Sequence, residues 1–169
     1  MIRIASEEAW ATPDLLGRYK KLLQDKPEAW DPGFRSLWGF FLGATPRATA
    51  LAERIQDLGP RRIADMDSSG IAKQLLLLTS PGVQVFDPAT GSSLARETNE
   101  VLSEAIRKHP DRYAGLAAIA PHDPGNAVKE MERGVRQLGL KGAVVNSHTQ
   151  GRYLDEPEFW PLFEAAEAL

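Results

Sequence analysis

Two joints in this sequence have the same form, and they constrain the fold more than any other feature. In each joint a helix-like stretch ends at a glycine, and a short run then leads into an apolar strand. SGIAK (69–73) leads into the strand-like residues 74–79, and LGLKG (138–142) leads into the strand-like residues 141–146. Residues 2–6 and 113–120 have the same strand-like character. Strands that alternate with helices in this way are typical of parallel α/β folds.

The spacing predicts about four βα units, which is half of the eight that close a (β/α)₈ TIM-type barrel. Helices are predicted over residues 12–24, 46–58, 60–69, 87–109, 123–139 and 157–169. We therefore expect an α/β chain in which residues 1–169 form a single partial domain, the N-terminal half of a barrel, ending inside a helix before a fifth strand. Residues 26–45, rich in aromatic side chains and interrupted by proline and glycine, are expected to form a long loop insertion.

An open flavodoxin-like sheet is the competing architecture, and it would place a ligand at a topological switch point. The first predicted turn, SEEA (6–9), is acidic and has no glycine-rich phosphate loop. This composition argues against a nucleotide ligand.

Composition excludes several classes of function. The net charge of −3 provides no basic field for nucleic acid, and the absence of cysteine excludes disulfides and thiolate-bound metals. Carboxylates interrupt the first apolar stretch too early for a signal peptide, and no apolar run reaches membrane-spanning length. The sequence therefore predicts a cytoplasmic location, no membrane partner and no nucleic-acid partner.

Polar residues follow the predicted strands at one end. Glu7 and Glu8 follow the first strand, and only one of the two can point inward because strand side chains alternate. From spacing alone, a metal ligand and a solvated acid are equally good interpretations. Thr79 follows the second strand and is a candidate pocket residue.

Asn146 and His148 lie just past the fourth strand, at the same predicted end as Glu7. His148 could bind metal, relay a proton, contact substrate or only donate a structural hydrogen bond. Arg47 stands near a helix start, where the dipole does not favour a cation. It is either an anion-binding residue or an ordinary surface arginine.

Five segments in order resemble the metal-dependent aromatic acid decarboxylase branch of the amidohydrolase superfamily. They are RIASEEAW (3–10), SLWGF (36–40), RIADMD (62–67), TSPGVQ (79–84) and NSHTQGRYLD (146–155). Within that branch the sequence is most similar to the 5-carboxyvanillate decarboxylases and more distantly similar to the γ-resorcylate decarboxylases.

The resemblance implies a barrel enzyme with one divalent metal, Mn²⁺ or Zn²⁺, that releases CO₂ from a small hydroxybenzoate-type acid in aromatic compound catabolism. It makes Glu7 the metal ligand, because the His-x-His pair of many relatives is replaced here by Glu7 and Ala9. It makes Arg47, Thr79, Asn146 and His148 substrate-binding candidates, and it implies a homo-oligomer, dimer or tetramer, for the complete protein.

In this family the remaining ligands and the catalytic acid lie on later strands. We therefore expect no catalytic residue within this chain and no activity from it alone. Two alternatives remain open: a non-catalytic half-barrel interaction module, and an amidohydrolase-type metal hydrolase, against which the missing His-x-His pair argues.

Overall fold

A computed structural model of the chain describes residues 1–25 and 31–169. These residues form five strands and seven α-helices, and their bounds are β1 Ile4–Trp10, α1 Pro13–Asp25, α2 Pro32–Phe41, α3 Pro46–Gln56, α4 Pro60–Ser68, β2 Lys73–Leu78, α5 Pro88–Lys108, β3 Tyr113–Gly115, β4 Ala117–Ala118, α6 Pro124–Arg136, β5 Ala143–Val144 and α7 Trp160–Glu167. A short 3₁₀ helix, Pro157–Phe159, precedes α7. None of the helices in the described part of the chain is long and apolar enough to cross a membrane. The α/β class is confirmed.

The described residues divide into two compact units. One contains Met1–Ala9 and Met66–Leu169, and therefore both sheets; the other contains Trp10–Asp65 and is helical apart from the end of β1.

The strands of the first unit form two small sheets. One has the order β1-β2-β3, with β2 and β3 parallel; in the other, β4 and β5 are parallel. The predicted strand over residues 113–120 is therefore two shorter strands. Leu116 donates to the Leu76 carbonyl at 3.1 Å whereas Ala117 donates to the Gly142 carbonyl at 2.8 Å. The chain thus exchanges one strand neighbour for another between these two residues.

Side chains of β2 alternate between a buried face and a half-buried face. Gln74, Leu76 and Leu78 are buried, and the residues between them are not. Helices approach the strands closely on the buried side, as shown at two glycines. A Cβ at Gly115 would lie 2.7 Å from a Leu102 methyl carbon. A Cβ at Gly134 on α6 would lie 3.0 Å from that of Ala117.

One hydrophobic cluster of the core combines side chains of α6 and α7 with Ile119, just beyond β4. Its buried members are Ile119, Ala127, Met131, Phe159 and Leu162. Phe163, the next residue of α7 after Leu162, is 53% exposed and does not belong to this cluster.

The expected aromatic loop is the main correction to the predicted elements. Residues 26–30 of that segment lie outside the described part of the chain, but Pro32–Phe41 is the helix α2. Asp31 caps it by accepting from the amides of Gly33 at 2.7 Å and Phe34 at 3.2 Å. Phe34 and Trp38 are one helical turn apart, and both rings contact Tyr19 of α1. The proline that suggested a loop occupies the first turn of the helix, where its missing N–H costs nothing.

Candidate functional site

Glu7 and Glu8 point to opposite faces of β1. Glu8 is half-buried and its carboxylate accepts from Gln74 Nε2 at 3.1 Å, so it lies on the same side as the buried face of β2. Alternation then places Glu7 with the half-buried face, the side of Leu75 and Leu77. Glu7 is exposed, and within the described residues its carboxylate has no hydrogen bond or ion pair. It is therefore available to an external ligand.

Thr79 lies directly beyond β2, where the alternation continues to the same face as Glu7. It is half-buried, and its carbonyl accepts from the Gly82 amide at 2.7 Å. Gly82 has a φ of +62°, and a Cβ there would lie 3.1 Å from Asn146 Nδ2. The turn after β2 therefore contacts the segment after β5.

Gln84 joins these two segments with its side-chain amide. Gln84 Nε2 lies 3.1 Å from the Asn146 carbonyl, 3.3 Å from the His148 carbonyl and 2.6 Å from Thr149 Oγ1. Gln84 Oε1 accepts from the Asn146 backbone amide at 2.7 Å. Both Gln84 and Thr149 are almost completely buried, at 3% and 2% exposed. A buried amide with this many partners fixes the backbone that carries Asn146 and His148.

His148 has one ring nitrogen occupied and one available. Its Nδ1 accepts from the Gly151 amide at 3.1 Å, and its ring meets Tyr153 edge-on at 5.8 Å between centroids. Because Nδ1 is the acceptor, the neutral ring carries its proton on Nε2. Nε2 has no partner among the residues that the structure describes, so this nitrogen can donate to a ligand.

Ion pairs hold the far end of the same segment. Arg152 donates to Glu156 at 2.5 and 2.9 Å and also pairs with Glu158, while its guanidinium lies 5.4 Å from the centre of the Phe159 ring. The hydrogen bonds from Arg152 lower the pKa of the Glu156 carboxyl below its usual value. Residues 146–152 are thus attached at both ends, by Gln84 and by Arg152.

Arg47 belongs to the helical unit, Trp10–Asp65. It is the second residue of α3, directly after Pro46, and the helix is capped by Thr45, whose hydroxyl accepts from the Ala48 amide at 3.2 Å. Its guanidinium is exposed and makes no ion pair with any described residue. An unpaired cation at a helix start is available to an anion.

The described residues do not form a complete metal site. No group of three or more His, Asp or Glu side chains among them could hold a metal ion. Glu7 fits the role of one oxygen ligand, but divalent ions in proteins ordinarily take at least three protein ligands. Residues 1–25 and 31–169 therefore do not supply a complete set of metal ligands.

Gln84, whose side chain links the turn after β2 to the segment after β5, was not among the predicted site residues. One signal was present in the sequence, since Gln84 stands between Val83 and Val85 in a short apolar stretch. A polar residue at a buried position must find hydrogen-bond partners, but the sequence does not specify that they lie 62–65 residues away.

Comparisons with known proteins agree with the resemblance stated from the sequence. The family model described as Amidohydrolase matches residues 41–169. The γ-resorcylate decarboxylase of Polaromonas sp. is 37% identical over 126 aligned residues, and the match covers 70% of this chain and 39% of that protein.

Solved structures match over nearly the whole chain. The 5-carboxyvanillate decarboxylase of Novosphingobium aromaticivorans, with bound manganese and 3-methoxy-4-hydroxy-5-nitrobenzoic acid, has a TM-score of 0.94 and 48% identity, covering 99% of this chain and 48% of that one. A dihydroxybenzoic acid decarboxylase of Polaromonas sp. JS666, with manganese and 2-nitroresorcinol, has a TM-score of 0.77 and 32% identity, covering 99% of this chain and 46% of that one.

The chain thus spans less than half the length of each of these relatives. The family match nevertheless extends over most of the present sequence. The chain therefore belongs to the amidohydrolase family, in the branch that contains the metal-dependent decarboxylases of aromatic acids.

Proposed function

We propose that residues 1–169 are the N-terminal half of a (β/α)₈ barrel, and that the complete barrel is a non-oxidative decarboxylase of hydroxybenzoate-type acids such as 5-carboxyvanillate. The observation that carries this proposal is the superposition of 99% of the chain on 48% of a 5-carboxyvanillate decarboxylase, with a TM-score of 0.94. The reaction replaces a ring carboxylate by a proton and releases CO₂, so it needs no electron acceptor. The complete enzyme is proposed to be a cytoplasmic homo-oligomer.

In this proposal Glu7 supplies one ligand to a divalent ion, with Mn²⁺ favoured by the bound manganese in two relatives. Its free carboxylate supports that role, because a ligand must be available to the ion. The remaining ligands would come from the other half of the barrel, since the described residues contain no complete set.

The other candidates would bind the aromatic acid. Nε2–H of His148 is a free donor, and the Asn146 carboxamide next to it has donor and acceptor capacity beyond its contact with Gln84. The Thr79 carbonyl accepts from the amide of Gly82, the residue whose turn contacts Asn146. Arg47 offers a guanidinium, whose two parallel N–H groups match a carboxylate.

The test compares the 169-residue chain alone with the chain co-expressed with the second half of the Novosphingobium enzyme. We expect release of CO₂ from 5-carboxyvanillate, with added Mn²⁺, only from the reconstituted pair. Turnover by the chain alone would refute the dependence on a second half. A pair that assembles and binds Mn²⁺ but decarboxylates neither 5-carboxyvanillate nor γ-resorcylate would refute the proposed reaction.

Glu7→Gln and Glu8→Gln provide a matched pair within the reconstituted enzyme. Glu7→Gln should remove the metal and the activity together, because an amide is a poor replacement for an anionic ligand. Glu8→Gln should keep both, because its side chain can still accept from Gln74. Metal content measured by elemental analysis decides the assignment, and an unchanged manganese content in Glu7→Gln would end it.

A further inference from the structure

We infer that Gln84 is a positioning residue: its buried side-chain amide sets the backbone of residues 146–149 and thereby aims Asn146 and His148 at the substrate. This inference rests on the proposed function for the identity of the substrate, an aromatic acid. The placement of the segment itself rests on contacts within this chain.

Gln84 uses its whole hydrogen-bonding capacity on this one segment. Nε2 reaches the carbonyls of Asn146 and His148 and the hydroxyl of Thr149, and Oε1 accepts from the Asn146 amide. A glutamine amide has two donor hydrogens and one acceptor oxygen, so little capacity is left for any other partner. The side chain therefore acts as a link between the turn after β2 and the segment after β5.

The segment that Gln84 contacts has an uncommon backbone conformation. Ser147 and Gln150 have φ values of 44° and 52°, the left-handed region that residues with side chains rarely adopt. The two carbonyls that Gln84 contacts belong to Asn146 and His148, on either side of Ser147. Such backbone persists only where the surroundings over-determine it. Gln84 supplies that constraint at Ser147.

Two further contacts point to the same arrangement. Gly82 has no side chain to occupy the space of the Asn146 carboxamide, whose Nδ2 would lie 3.1 Å from a Cβ. Gln150 Nε2 donates to the Phe86 carbonyl at 2.9 Å. The turn after β2 thus holds the segment at its beginning and its end. Between these points Ser147 is exposed, and Asn146 and His148, the side chains proposed to meet substrate, are half-buried.

The variant that tests this is Gln84→Glu. A carboxylate of the same shape can still accept from the Asn146 amide, but it cannot donate to the Asn146 and His148 carbonyls and instead repels them. Gln137→Glu is the matched control, because it adds the same charge at an exposed position directly after α6. Thr149→Val, with Thr149→Ser as its conservative partner, tests the same link without adding charge.

In the reconstituted enzyme we expect Gln84→Glu and Thr149→Val to raise KM on the order of tenfold while kcat per folded enzyme stays within about twofold. Gln137→Glu and Thr149→Ser should resemble the unchanged enzyme. A purely structural role would lower the yield of folded protein and leave KM unaltered, so an unaltered KM overturns the inference.

Hydrogen exchange over residues 145–150 gives a readout that does not depend on activity. We expect faster exchange there in Gln84→Glu than in Gln137→Glu, and equal exchange would overturn the positioning role. If the unchanged reconstituted enzyme does not decarboxylate, the proposed reaction fails while this comparison still decides the role of Gln84. If Gln84→Glu does not fold, the two Thr149 variants decide it.

Discussion

Replacing Asn99 by leucine should destabilise the chain strongly, although Asn99 lies on a helix far from any predicted site residue in sequence. Asn99 of α5 is 1% exposed. Its Nδ2 donates to the Ala118 carbonyl at 2.9 Å and to Glu130 at 2.8 Å, and its Oδ1 accepts from the Ala118 amide at 2.8 Å. One side chain therefore joins β4 to α5 and α6.

The magnitude follows from these three hydrogen bonds. At a net value of about 1 kcal/mol each, their loss costs about 3 kcal/mol, and buried groups left unpaired raise this figure. The added apolar surface of leucine offsets part of this loss of free energy. Glu130, which is only 8% exposed, loses the hydrogen bond from Asn99. Arg133 still pairs with that carboxylate at 2.8 Å, which prevents an uncompensated buried charge. We expect a net loss of about 3 kcal/mol in the free energy of unfolding.

Urea denaturation followed by circular dichroism measures this loss. With a slope of about 2 kcal/mol per molar urea, the midpoint should fall by roughly 1.5 M. Asn126→Leu is the matched control, because Asn126 is exposed and makes one bond, to Asp123. The control should lose less than about 1 kcal/mol. An Asn99→Leu loss no larger than that of the control would show that the three bonds contribute little, and the reasoning would be wrong.

Two other changes test the charges. Arg47→Ala in the reconstituted enzyme should raise KM for the aromatic acid by about tenfold and leave manganese content unaltered, since the guanidinium has no partner within the described residues; a normal KM would return Arg47 to the role of a surface residue. Asp123→Asn should lower stability at neutral pH but not in acid, because hydrogen bonds from Asn126 and Ser92 lower the pKa of the Asp123 carboxyl below its ordinary 3.8. A lowered folded-state pKa gives stability that is present above the unfolded value and is lost as the pH falls through the folded value. The difference in urea midpoint between the two proteins should therefore shrink as the pH falls below the ordinary value of 3.8, and a difference that stays constant from neutral pH into that acid range would contradict the assignment.

Sequence patterns predicted those elements whose signals are local. Pro88 after Asp87 and Pro124 after Asp123 marked the starts of α5 and α6, and Gly139, with a φ of +74°, lies just beyond the end of α6. Asp123 accepts from side chains at Ser92 and Asn126 and makes no capping bond to a helix amide.

Elements that depend on distant partners could not be predicted in the same way. The division of residues 113–120 into two strands follows from Leu116 bonding to Leu76 and Ala117 bonding to Gly142. The helix α2 was predicted as a loop because the side chains that stabilise it, Phe34 and Trp38, pack on Tyr19 of another helix. That contact is not visible in the sequence of α2 itself. Gln84 was missed for the same reason, since its partners lie far along the chain.

Neither burial nor an ion pair marks the candidate site residues as functional, and their positions in the fold explain why. On β2 the residues of one face, Gln74, Leu76 and Leu78, are buried, and those of the other face are half-buried. Glu7 and Thr79 are assigned by alternation to the other face, which the described residues leave partly open. A carboxylate in such a place has no partner to fix it and no burial to mark it as functional. In a barrel, however, that face is the interior, and side chains beyond the strand ends line the site. The free carboxylate of Glu7 and the free Nε2 of His148 are therefore what this chain would show if its site is completed by groups from outside it.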